Sequence, residues 1–210
     1  NALFFQGKSV LPKAATPMTA ALTTLTYGDS FAAKVEFFGE EDLRQIQELN
    51  KQYTQQLQAK IEQHFCDIHK RQKTLTERTG KPFDEAEVRS LAERQALNEM
   101  KRTESLAAAH EQAQHMKESG IDPCTLQQSA ELKATNAKEL KEQLNDYVGT
   151  KGRFMPFTKI VHVYMPLETL RDIRVIDTPG TNDPVVSREE RTISLLKTCD
   201  VVFVVSPAGA

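Results

Sequence analysis

Asp177 ends an apolar run and is followed by Thr178, Pro179 and Gly180, a pattern with chemistry in it. Residues 173–176 (IRVI) read as a strand, so the carboxylate sits at its C-terminal tip. Open α/β sheets bind ligands beyond the C-terminal ends of their strands, and a glycine there lets a backbone N–H approach a phosphate with no Cβ in the way. The competing reading is a strand-ending turn in which the aspartate only accepts local hydrogen bonds. Gly7, Lys8 and Ser9 offer a second phosphate-like pattern, but it is a decoy. A phosphate loop needs a glycine five positions before the second one, and Ala2 stands there. Too few residues precede Gly7 for a strand, and Val10, Leu11 and Pro12 follow where a helix should begin. His64, Cys66 and His69 cluster on a helical segment without a completed ligand set. A chance grouping on a helix surface explains them better than a metal site.

Residues 159–165 (KIVHVYM), 173–176 and 200–205 (DVVFVV) read as strands, the last buried on both faces. Residues 187–198 read as the intervening helix, with Ser187 and Glu190 at capping-box spacing. Strand, helix, strand in this compass predicts a βαβ unit and a parallel sheet. At the other end, residues 21–27 and 33–38 are strand-like runs joined by Gly28, Asp29 and Ser30, which predicts a hairpin. Between these flanks the chain is poor in glycine and proline and rich in charge. Leu43, Ile46, Asn50, Tyr53, Leu57, Ile61, His64 and Ile68 recur at steps of three and four, the stripe of a long helix. Gly80 and Pro82 end that helix, a second is expected over 84–118, and a third over 125–148. An antiparallel helical hairpin or three-helix bundle is favoured over an intermolecular coiled coil, because the breaks at Gly80 and Gly120 let the segments fold back.

The apolar strand with Asp177, Thr178, Pro179 and Gly180 resembles the Walker B and switch II segment of P-loop GTPases. The run DTPGTNDPVVSREERT, the ending CDVVFVVSPAG and the opening NAL…VLP…ATPMTA are similar to bacterial dynamin-like large GTPases of the dynamin superfamily. The resemblance implies an α/β fold: a P-loop GTPase-type, mostly parallel sheet flanked by helices and carrying a long all-helical insertion. It implies a partial GTPase domain in 1–39 (end of the first helix, switch I, strand hairpin), the helical insertion in 40–150, and the GTPase domain continued in 151–210. On that pattern Thr19 is the switch I threonine that ligates Mg²⁺, with Thr16 as the alternative and a turn-forming role open to both. Asp177 reaches Mg²⁺ through water, and the Gly180 amide senses the γ-phosphate. Thr16, Thr19, Asp177, Thr178, Pro179 and Gly180 together form the implied nucleotide contact, and Thr19, Asp177 and Gly180 the implied catalytic set. Arg188, Glu189, Glu190 and Arg191 fit either an interface between two GTPase domains or a solvated first helical turn. The chain departs from the pattern in holding neither a P-loop nor the guanine-reading motif, so the expectation is a fragment that binds nucleotide weakly by itself.

Composition narrows the classes. Lys and Arg number 27 against 29 Asp and Glu, a net charge of −2, which argues against a globally basic nucleic-acid binder and leaves room for a local patch. Cys66, Cys124 and Cys199 are too few for a disulfide scaffold and suit a reducing compartment. No apolar run reaches membrane-span length. With the resemblance, the expected partners are GTP, with Mg²⁺ as cofactor, and further copies of the protein, met through the GTPase domain or the helices. A membrane enters by family alone, and no nucleic acid is expected. The expected place is the cytoplasm or the inner face of the membrane. Two other functions stay open: a helical interaction module on a nucleotide-inactive α/β body, and an ATP-using P-loop NTPase.

Overall fold

A computed structural model of the chain describes residues 21–149, 151–178 and 186–204, leaving aside the side chains of 186–191. It divides into two compact units. One, Leu43–Ile121, is helical; the other joins the chain on either side of it, up to Asp42 and from Asp122.

The second unit is built on a five-stranded sheet. Its strands are β1 (Leu22–Tyr27), β2 (Phe31–Phe37), β3 (Ser129–Ala134), β4 (Thr158–Met165) and β5 (Val175–Asp177), in the order β3-β2-β4-β1-β5. The class is α/β, as read from the sequence, but the sheet is mixed. Among the described residues only β1 and β4 run parallel; β1 with β5, β2 with β3 and β2 with β4 are antiparallel. The expected hairpin is corrected in the same way. β1 and β2 are joined by a short turn but do not pair, because β4 lies between them, placing Val163 between Leu25 and Ala33. β4 is central in the sheet, where both its edges are paired and most of its side chains are buried.

The odd-numbered residues of β2 and β4 form the inner face, where Ala33, Val35, Val161 and Val163 are buried. The helix α4 (Ala137–Val148) covers it with Leu140 and Leu144, and Tyr147 stacks on Phe154 at 5.2 Å and meets Phe37 at 6.1 Å. Each fully buried leucine there contributes about 1.5–3 kcal/mol. The opposite face holds buried Leu22 and Ile160 beside a polar group of side chains. His162 Nδ1 shares a hydrogen bond of 2.9 Å with the Thr24 hydroxyl, and its Nε2 lies 3.5 Å from Glu36.

The third expected helix, over 125–148, is only half realised. Residues 129–134 form β3, and α4 begins at Ala137. Six paired positions with β2 outweigh the modest helix preference of SAELKA, and Asn136 stops the strand by capping α4. Residues 122–149 therefore belong to the sheet unit and not to the helical insertion expected over 40–150.

In the helical unit, α1 (Glu40–Thr79) runs for 40 residues, about 60 Å. Its end is Gly80, at φ +69°, a left-handed conformation that glycine adopts without strain. The expected helix over 84–118 is interrupted, giving α2 (Glu85–Met100) and α3 (Glu104–Ser119). At the break the Thr103 hydroxyl donates to the Met100 carbonyl at 2.6 Å, a side-chain bond that replaces the helical ladder. α2 and α3 run back along α1 as one interrupted arm. His69 lies 3.6 Å from Glu85, Arg89 3.5 Å from Glu62, Lys60 2.6 Å from Glu99, and Tyr53 stacks on His110 at 4.3 Å. The stripe read from the sequence is the seam of this hairpin.

The last helix, α5 (Val186–Lys197), is followed by a segment that differs from expectation. Residues 201–204 were expected as a strand buried on both faces, yet they form no strand and Val204 is 90% exposed. No described strand lies beside them, and an apolar run without a ladder partner stays in solvent.

Candidate functional site: the C-terminal end of β5

β5 is three residues long and pairs with the start of β1 in antiparallel register, Thr23 opposite Asp177 and Leu25 opposite Val175. This register decides which parts of the chain meet. The N-terminal end of β1, Leu22, three residues after Thr19 in sequence, stands at the same sheet end as Asp177. That pairing is not legible in either segment alone, since nothing in LTTLTY or RVID names the other as partner.

Asp177 ends its strand with an exposed surface, yet the surrounding protein atoms weaken the hydration of its charge. Desolvation pushes its carboxyl above the usual aspartate range. Among the described residues no donor meets this carboxylate. The nearest hydroxyl across the ladder, on Thr23, is buried and donates instead to the Ala21 carbonyl at 3.2 Å. Thr178 follows, half-buried. Thr16, Thr19, Pro179 and Gly180 lie outside the described residues, as do Gly7 to Ser9 and the side chains of Arg188 to Arg191. The structure thus brings Asp177 and Thr178 to one edge and places the start of β1 beside them.

The other cluster singled out by sequence is divided between partners. His64 lies 3.1 Å from Glu99, whose carboxyl is held below its ordinary range first by the Lys60 ammonium and then by His64. His69 turns to Glu85, and Cys66 is exposed. These are ties between α1 and α2. A buried ion pair that sequence reasoning missed lies in the sheet unit: Lys159 on β4 donates to Asp42 at 2.8 Å, and the Gly39 N–H reaches the same oxygen at 3.0 Å. Its only sequence signal was an acidic residue in the first turn of a helix.

The family model described as the dynamin family matches residues 1–210. The chain belongs to the dynamin family. No curated protein matches this dynamin-family chain. A solved structure of an oligomerised bacterial dynamin pair, described as providing a mechanism for the long range sensing and tethering of membranes, is similar to it at 22% identity. The TM-score is 0.44, and the match covers 94% of this chain and 19% of that one. The dynamin-family chain therefore spans about a fifth of that neighbour's length. Among its described residues no helix is long and apolar enough to cross a membrane.

Proposed function

We propose that this dynamin-family chain carries the switch-bearing part of a GTPase domain, which in the intact protein binds and hydrolyses GTP with Mg²⁺ and couples that cycle to self-assembly or membrane remodelling. The observation that carries the reading is the β1–β5 register, which sets the chain just after Thr19 beside Asp177 at one sheet end. That pairing of Thr23 with Asp177 supports the family pattern's assignment of Mg²⁺ and γ-phosphate contacts to the segments that flank it.

The chemistry of the site fits the ion. Mg²⁺ keeps most of its waters and takes one or two carboxylates, and Asp177 is a carboxylate that no described donor engages. Mg²⁺, when bound, neutralises charge building on the β- and γ-phosphate oxygens. Asp177 would hold one of the ion's waters, and a cation beside it would favour the charged form that desolvation now disfavours. By the family pattern Thr19 closes over the γ-phosphate, Thr16 being its alternative, and the Gly180 amide, with Thr178 and Pro179, lines the same phosphate. These groups act by positioning and electrostatics and form no covalent bond to the substrate.

Equilibrium binding of labelled GTP and ATP with Mg²⁺ to the intact protein, compared with its Asp177→Ala form, tests the reading. The expected result is Mg²⁺-dependent GTP binding that the substitution weakens at least about tenfold, the loss of one charge-assisted interaction. Binding of ATP in place of GTP would move the protein to the ATP-using class. Binding of neither would leave an interaction module built on the helical unit.

A further inference from the structure

The far end of the helical hairpin has a charge pattern unlike the rest of the molecule. Between Lys70 and Lys81 stand five cations, Lys70, Arg71, Lys73, Arg78 and Lys81, and one anion, Glu77, in a chain whose net charge is −2. Elsewhere on the hairpin, Lys60 pairs with Glu99 and Arg89 with Glu62 across the seam. Among the described residues none of the five at the tip has such a partner, and all five are exposed. His69 marks where the seam ends. Beyond it the last turns of α1 run on while 80–84 return beside them, Thr76 donating to the Lys81 carbonyl at 2.9 Å.

The cations are interleaved with an apolar side chain. Arg71, Leu75 and Arg78 are spaced i, i+4 and i+7, so they share one face of α1. Leu75 is 53% exposed there, a large apolar side chain in water between two guanidiniums. Arginines that extend toward phosphates while a leucine between them enters hydrocarbon are suited to the headgroup boundary of a bilayer. A single-stranded nucleic acid is favoured less, because it needs an exposed aromatic platform. The one aromatic ring near the tip, Phe83, is half-buried and set edge-on to His69 at 5.2 Å.

We propose that the tip of the helical hairpin, through Arg71, Leu75 and Arg78 with Lys70, Lys73 and Lys81 around them, docks on an anionic lipid surface. The contact needs no nucleotide and stands whether or not the chain hydrolyses GTP.

Co-sedimentation of the full 210-residue chain, without nucleotide, with vesicles of phosphatidylcholine alone or mixed with phosphatidylglycerol is the test. The expected result is binding to the anionic vesicles only, reversed by high salt. Arg71→Glu with Arg78→Glu should lower that binding at least about tenfold, from the four charge units removed near the surface. Arg71→Lys with Arg78→Lys should keep most of it, and Leu75→Ser should weaken it while leaving the salt dependence in place. All these positions are exposed, and helical circular dichroism checks that each variant folds. No sedimentation with anionic vesicles, equal sedimentation with neutral ones, or charge-reversed protein that binds as well as the parent would overturn the proposal. So would tighter binding to single-stranded RNA than to the vesicles.

Discussion

At Asp177 the folded chain favours a neutral carboxyl, while the proposed metal site needs a charged one. Because the folded pKa is raised, the stability this group contributes is complete below the unfolded value of about 3.9 and is lost as pH rises through the folded value. Asp177→Asn is therefore expected to melt higher than the parent at neutral pH without Mg²⁺, an advantage that disappears in acid. Melting curves across the pH range check it, and a parent that melts higher than the variant at pH 7 would mean that the carboxylate has a partner. The buried pair of Lys159 and Asp42 has the opposite character. Asp42 keeps only 7% of its side chain in solvent, so Lys159→Met would strand a carboxylate that retains the Gly39 N–H. A loss of about 2 kcal/mol is expected, below the full cost of breaking a buried ion pair because that hydrogen bond survives. Denaturant unfolding of the two proteins measures it.

Among the elements, α4 shows a local signal that decides a boundary. The Asn136 side chain accepts from the Glu139 N–H at 3.0 Å, and Glu139 accepts from both the amide and the hydroxyl of Thr135 at 2.7 Å. Those Thr135 bonds hold the Glu139 carboxyl below its ordinary range, so its contribution is present above the unfolded pKa and lost as pH falls through the folded one. Asn136→Ala should cost about 1 kcal/mol, read from thermal or denaturant unfolding. The Gly80 and Gly120 stops and the stripe from Leu43 to Ile68 were visible in the sequence, whereas the Asn136 cap fell inside the helix expected over 125–148. These signals are local: each is complete within a few turns. What the sequence did not reveal depends on distant partners. SAELKA becomes a strand because β2 is beside it, and RVID runs antiparallel to LTTLTY through a register that neither segment encodes alone. At the site, Asp177 was legible as an acid at a strand tip. Its neighbour across the ladder, Thr23, was not.

For the molecule as a whole, the exposed run from Val201 to Val204 is the main liability. Val201, Val202, Phe203 and Val204 are between 55% and 90% exposed, a short β-prone segment without charge. Such a segment invites pairing between chains. Val202→Lys is expected to raise the concentration at which the isolated chain stays monomeric, as followed by light scattering, and an unchanged threshold would place self-association elsewhere. The position of β4 bears on a different matter, the order in which the chain can fold as it leaves the ribosome. Thr24 and His162, neighbours in the sheet, are 138 residues apart in sequence, whereas Asn50 and His110, which tie the helical hairpin, are 60 apart. Closing the nearer contacts first is faster, so the hairpin can assemble while β1 and β2 still wait for their shared neighbour. A nascent chain halted before β4 would then hold a finished pair of helical arms, β2 paired with β3, and β1 with nothing to bind. The sheet, though it begins first in sequence, is completed last.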